Sequence, residues 1–381
     1  MLTAQANPKG FDIVIVGAGL SGLVALKQLI DSPSSARIRE VHLIEASEKA
    51  GGRLRSIPGG TIDLGASWSW QSDNALRKLL RDLSINTLDQ PWEGNVVTVN
   101  AAGSVMKREA RYGESPCGAG GQRMAGGASQ LPAKLLEYIG DLRASNKVKY
   151  SYGTSITAIG AGGVEEEDVV EVELSNGETL TASAVIMACP PAAIAKIEFL
   201  PSLPPLRKHF MEATKTWMVD ILKFVAVYPT KFWKDEGLSG FGILQQSHLV
   251  ETTWDASDGG VCAISGFARP TARGNSDAIK ANIVADLTKC FGEGASSPSD
   301  VSFIDWSYSN FNVDQAFDEK LSQHLDYGHN HLRNPFDRRV VFAGTESEKE
   351  AGHMEGAIKA GVRAANEAFE VALGRGRKSI I

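Results

Sequence analysis

Residues 11–53 restrict the fold of this chain more than any other stretch. An apolar run, FDIVIV, leads straight into Gly17-Ala18-Gly19-Leu20-Ser21-Gly22, and the amphipathic run LVALKQLI follows at once. A second apolar run, EVHLIEA, carries Glu45, and Gly51-Gly52-Arg53 comes just after it. Each residue type has a physical task. Gly17 permits the tight turn from strand to helix, Gly19 lets backbone approach a pyrophosphate, and Gly22 lets helix and strand pack closely. The amide groups opening the new helix point at the phosphates. Glu45, about 20 residues on, is placed to accept hydrogen bonds from a ribose diol. A lone glycine-rich turn is common and weakly informative. Set between strand and helix, with the acid at this distance, it specifies a dinucleotide-binding βαβ unit.

The remainder of the chain bounds the other possibilities. Its 381 residues suffice for two or three domains. With 43% hydrophobic and 22% charged residues the composition is that of an ordinary globular protein. A formal net charge of −6 and the lack of a Lys/Arg block argue against nucleic-acid binding. Cys117, Cys189, Cys262 and Cys290 are far apart with no CxxC pair, so reduced thiols are expected rather than disulfides or a metal site. No apolar run has the length of a membrane span, and the N-terminus has no signal-peptide core, so the cytosol is the expected compartment.

Along the chain, residues 56–70 read as loop and short strand, and residues 74–83 have helical spacing. From Pro91 to about Gly127 little periodicity is visible. A helix is predicted over Ser129–Ile139, with Pro132 in its first turn. Residues 148–188 read as a β-meander with an Asn176-Gly177 hairpin signal, and the run Glu165–Asp168 as a solvated turn. Strands follow from Thr216, then a helix bearing Ile279, Ile283, Val284 and Leu287, a strand at 338–344, and a last helix over Glu355–Leu373. The distance between the first βαβ unit and this final strand and helix implies a nucleotide domain built from separated segments, with a substrate domain inserted.

Seven segments in this order resemble the flavin-containing amine oxidase family: DIVIVGAGLSGL, GGRLRS, DLGASW at 63–68, GGASQLPAKLLE at 126–137, the meander ending AVIMACPP with FLPSLPPL after it, KFVAVYPTKFW at 223–233, and VFAGTE followed by GHMEGAIKAGVRAA. The resemblance covers nearly the whole chain. It implies an α/β fold with a Rossmann-like FAD-binding domain of the GR2 type and an inserted mixed-sheet α+β substrate domain. On this reading the FAD-binding domain comprises 1–90, 126–198 and 305–381, and the substrate domain 91–125 and 199–304.

The resemblance also implies roles. Arg53 would offer its guanidinium fork to the pyrophosphate, a surface arginine being the alternative. Gly65, Ser67 and Trp68 would lie by the flavin, core packing being the alternative for Trp68, and the backbone of Ile156 would face the adenine. Gly344, Thr345 and Glu346 follow a strand, and Gly352 to Met354 lead into the last helix, whose N-terminus would stabilise negative charge on reduced flavin, an ordinary strand-helix connection being the alternative. Lys223, within the apolar run ILKFVAVY, matches the family's active-site lysine, which holds a water bridging to flavin N5. A lysine at a solvent edge is the alternative. Trp306 matches a tryptophan near the flavin, or else packs in the core.

Three departures from the family pattern qualify what the resemblance implies. Mammalian members of the family attach FAD through a cysteine. The matching position falls near Gln315, so noncovalent FAD is expected. Those members also hold the amine between two tyrosines; here the positions are Ala316, with Phe317 adjacent, and His353. An imidazole at His353 would hydrogen-bond a polar substrate instead. The helical insertion of larger members is nearly absent from 91–125. The expected activity is oxidation of a CH–NH bond, with dioxygen as acceptor and hydrogen peroxide as product. An FAD-dependent desaturase or dehydrogenase of a non-amine small molecule is the alternative.

Overall fold

The computed structural model describes residues 11–141, 147–161, 169–216, 220–270, 275–308, 327–349 and 352–373. Its contacts divide the chain into two compact units, the first made of 1–53, 131–217 and 319–381, the second of 54–130 and 218–318.

The first unit is organised by a parallel sheet. Its strands run in the order Val340–Phe342, Ala184–Met187, Phe11–Val16, Ile38–Ile44, Val148–Ser151. Ile13 and Ile15 are fully buried, as expected of a central strand covered on both faces. Each such side chain contributes roughly 1.5–3 kcal/mol relative to exposure. Helix Leu20–Asp31 packs on helix Met354–Ala372, and the two meet closely enough that a Cβ at Gly361 would lie 2.4 Å from the Ser21 carbonyl. A second sheet of four strands, Thr179–Ala182, Val170–Leu174, Ile156–Ala161 and Glu198–Leu200, shares a core with the first.

The second unit is built on a mixed sheet of seven strands, in the order Asp300–Asp305, Leu222–Tyr228, Cys262–Ala268, Val250–Asp255, Leu238–Leu244, Asn95–Val99, Val105–Glu109. Only Leu238–Leu244 and Asn95–Val99 pair in parallel. Strand alternation sorts Leu222–Tyr228 onto two faces. Leu222, Phe224, Ala226 and Tyr228 join the core beneath helix Ser276–Phe291. Val225 and Val227 point the other way, into a cluster with Ile62, Leu64, Trp68 and Trp254. Lys223 belongs to that second face.

Two sequence expectations change here. The stretch 91–127 is not irregular: it forms the hairpin Asn95–Val99/Val105–Glu109 and the strand Gln122–Met124. The second hairpin strand is exposed at every residue, so no burial alternation marks it. The meander is also shorter than expected. Val148–Ser151 and Ala184–Met187 lie in the parallel sheet, and only Ile156–Ala182 turns back on itself. Alternation in a sequence reports that a strand exists, not which strand it pairs with. The acidic run Glu165–Asp168 lies outside the described residues.

Candidate active site

In the first unit the glycine turn has the form its spacing implied. Gly17 takes a positive φ of 103°, and a Cβ there would lie 2.7 Å from the Ala188 carbonyl. A Cβ on Gly22 would overlap the Gly17 carbonyl at 1.9 Å. At Gly19 a Cβ would meet nothing within 4 Å, so its backbone faces open space at the start of the helix. Gly51 N donates to the Ala18 carbonyl at 2.9 Å, which docks the Gly51-Gly52-Arg53 segment on the turn. Glu45 follows directly on the second strand. Its Oε2 accepts from Ala18 N at 2.7 Å and its Oε1 from Ser47 N at 2.9 Å. A carboxylate has about four acceptor positions, so capacity remains for a diol.

Arg53 donates from Nη1 to Glu346 Oε1 at 2.8 Å. Burial works against the Arg53 charge, yet Glu346 more than offsets it and holds the guanidinium above its usual range. Glu346 is fully buried, and its Oε2 has no hydrogen-bond partner among the described residues. A buried acceptor left this way is costly unless a further group meets it. Thr345 Oγ1 donates to the His353 carbonyl at 3.2 Å and lies 3.3 Å from Gly352 N, tying the turn after Gly344 to the start of the last helix. Met354 is buried there, and His353, which caps the helix, is exposed. Ile156 is buried in the unit's core, and its strand begins where Thr154 N bonds the Glu45 carbonyl at 3.1 Å.

In the second unit Lys223 is 2% exposed, between two antiparallel neighbours, which excludes the solvent-edge alternative. Its Nζ donates to the Gly65 carbonyl at 2.7 Å and to Ser67 Oγ at 2.6 Å. Three aromatic rings surround it, with centroids 5.6 Å (Trp68), 5.3 Å (Trp254) and 5.9 Å (Phe267) away. Cation–π attraction partly replaces the lost water. Burial still pulls the Lys223 ammonium down to about 8, with Asp63 opposing that shift and Arg123 adding to it. Trp306 is buried and donates from Nε1 to the Leu64 carbonyl at 3.1 Å, bracing the loop that meets Lys223.

The structure thus gathers Gly65, Ser67, Trp68, Lys223 and Trp306 in one unit. Gly17, Gly19, Gly22, Glu45, Arg53, Ile156, Gly344, Thr345, Glu346, Gly352, His353 and Met354 lie in the other. Sequence reasoning missed Asp63, Arg123, Trp254 and Phe267. Asp63 lies inside DLGASW and was within reach of that motif, whereas Arg123 comes from the stretch without periodicity. Gln315, Ala316 and Phe317 lie outside the described residues.

A parallel sheet ending in this glycine cradle, with an acid directly after the second strand, defines a Rossmann-like dinucleotide-binding enzyme. Comparison with known proteins gives the particular family. The model of flavin-containing amine oxidoreductases matches residues 116–368, and that of NAD(P)-binding Rossmann-like domains matches residues 15–83. A flavin-containing amine oxidase of Danio rerio is 25% identical, the match covering 96% of this chain and 86% of that protein. Amine oxidase A of Sus scrofa is 31% identical over 69% of this chain and 49% of its own length. Putrescine oxidase bound to putrescine superposes with a TM-score of 0.75 at 20% identity, covering 94% of this chain and 99% of that one. Cyclohexylamine oxidase from Brevibacterium oxydans gives the same TM-score at 20% identity, covering 96% and 99%. The chain belongs to the flavin-containing amine oxidoreductase family and is an FAD-dependent oxidoreductase. The bare Gly19 backbone, the Glu45 carboxylate and the unpartnered Glu346 oxygen fit that cofactor. Among the described residues no helix is long and apolar enough to cross a membrane.

Proposed function

We propose that this protein oxidises the CH–NH bond of an amine to an imine, which water then hydrolyses to a carbonyl, with dioxygen reduced to hydrogen peroxide. The observation that carries this reading is the buried ammonium of Lys223, held between Gly65 and Ser67, at the position where the resemblance of KFVAVYPTKFW places the family's active-site lysine. FAD supplies the two-electron acceptor. The chain's residues do the rest. Gly17, Gly19 and Gly22 leave backbone room for the pyrophosphate, Arg53 supplies a cation to it, and Glu45 accepts from the ribose. Ile156 would present its backbone to the adenine. Gly65, Ser67, Trp68 and Trp306 shape the flavin environment, with Gly344, Thr345, Glu346, Gly352 and Met354 at the opening of the last helix. Lys223 holds a proton at Nζ below about pH 8 and can take one above it. The cofactor is held without a covalent bond and is expected to come off in acid.

Peroxide release across a panel of primary, secondary and poly-amines is the direct test. At least one amine should give peroxide in step with loss of substrate and bleaching of the flavin under anaerobic conditions. Bleaching by a non-amine alcohol or a saturated carbonyl compound, with no amine active, would favour the desaturase reading instead. His353 is the observation on that side. It stands before Met354-Glu355-Gly356, where an aromatic cage would carry tyrosine. If it contacts substrate, His353→Tyr should raise turnover of simple monoamines by about tenfold, a stabilisation near that of one aromatic–cation contact. Equal kinetics in both proteins would remove His353 from the substrate site.

A further inference from the structure

At the Gly65–Trp68 loop the second unit contains a small polar chamber. Asp63, Ser67, Arg123, Asp258 and Ser265 line it together with Trp254. Asp63 and Arg123 are each 7% exposed, and they share this chamber with Ser67, which accepts from the buried Lys223 ammonium, and with Trp254, whose ring centroid lies 5.3 Å from it. Ordinary cores avoid buried charges unless the charges answer one another.

The anchoring is specific. Asp63 accepts from Ala128 N at 2.9 Å and from Ser56 Oγ at 3.1 Å, which fixes its carboxyl in place. Burial lifts that carboxyl to about 6, with Lys223 and the Ala128 amide pulling it back down. Arg123 donates from Nη2 to the Ser257 carbonyl at 3.0 Å, while its Nε has no partner among the described residues. Burial lowers the Arg123 charge, and Asp255, Asp258 and Asp63 sustain it. The chamber has room for about one water. Around Lys223 itself, the strands and the Gly65–Trp68 loop contribute carbonyl, hydroxyl and aromatic groups. The charged groups acting on it are Asp63, ahead of that loop, and Arg123, on strand Gln122–Met124.

We propose that Asp63 and Arg123 are an opposed pair of positioning residues that together set the charge on Lys223. Asp63 stabilises the ammonium, and Arg123 destabilises it. Neither acts on substrate. The proposal rests on Lys223 being the functional lysine only where turnover is the readout.

The test uses the FAD-loaded enzyme and four variants, Asp63→Asn, Arg123→Gln, Lys223→Met and the double variant Asp63→Asn/Lys223→Met. The pH at which the turnover limb of Lys223 is half-developed should fall by about one unit in Asp63→Asn, from loss of a nearby opposite charge, and rise in Arg123→Gln. Shifts of the same sign, or none, would overturn the proposal. Thermal midpoints from pH 5 to 9 read the same coupling without turnover. Asp63→Asn should lower the midpoint more when Lys223 is present than when methionine replaces it, because in the methionine background one of the two cations near the carboxylate is already gone. An equal effect in both backgrounds would also overturn it. A Lys223→Met enzyme with normal turnover but with the midpoint coupling intact would instead sink the catalytic reading of Lys223 and leave the charge pairing standing. If Lys223→Met does not fold, the opposite signs expected of Asp63→Asn and Arg123→Gln still decide.

Discussion

Lys223→Met is expected to yield a folded, yellow enzyme whose turnover falls by about a hundredfold or more, the usual scale for losing a proton-handling side chain. Methionine preserves the apolar stem between Trp68, Trp254 and Phe267, so the aromatic wall keeps its packing. What is lost is the donor to the Gly65 carbonyl and Ser67 Oγ, and with it the only charge on that face of strand Leu222–Tyr228. Anaerobic reduction and aerobic reoxidation of the flavin, followed separately by absorbance, show which half-reaction slows. Unchanged rates in both would remove Lys223 from the mechanism. Stability supplies a second signature. The Lys223 ammonium titrates near 8 in the folded protein against 10.5 for an ordinary lysine, so the folded state loses this proton first. Stability should therefore rise as pH climbs from about 8 to 10.5, by on the order of 3 kcal/mol for a shift of this size. The methionine variant should lack that rise.

Gly19→Val should separate cofactor binding from folding. Gly19 has φ −72° and ψ −179°, an extended conformation that valine adopts readily, and a Cβ there meets nothing within 4 Å. Apo protein should therefore melt within a few degrees of apo wild type. FAD affinity should fall by at least about a hundredfold, or roughly 3 kcal/mol, because the added methyl groups occupy the space into which pyrophosphate must come. Titration with FAD under flavin fluorescence measures this. Tight binding by the valine variant would mean that the phosphates lie elsewhere. Gly22 could not serve in the same experiment: its Cβ would collide with the Gly17 carbonyl and unfold the turn itself.

The two substitutions also separate what was legible in the sequence from what was not. Gly17, Gly19, Gly22 and Glu45 are close along the chain, and their tasks follow from local backbone geometry and the reach of one side chain. The order of residue types therefore announces them. The central parallel strands were readable for a similar reason, since burial on both faces demands an apolar run. Lys223 was conspicuous as a lysine in such a run, but a charge in an apolar strand is compatible with either an edge or a buried partner. Strand pairing alone decides between these, through Ile304 on one side and Phe267 on the other. The hairpin at Asn95–Glu109 was hidden because its outer strand is exposed throughout and has no apolar alternation to display.

By itself, then, the sequence determined the dinucleotide cradle and the enzyme family, and it singled out Lys223 as the candidate lysine. Those depend on local spacing and on motifs kept in order. Only the tertiary structure decided what surrounds that lysine. Asp63, Arg123 and Trp254 come from a loop and two strands separated by 60 and 131 residues, counted from 63 to 123 and from 123 to 254. No periodicity links residues that far apart. Their influence on Lys223 is electrostatic, set by distance and burial, and both quantities exist only once the sheet has assembled.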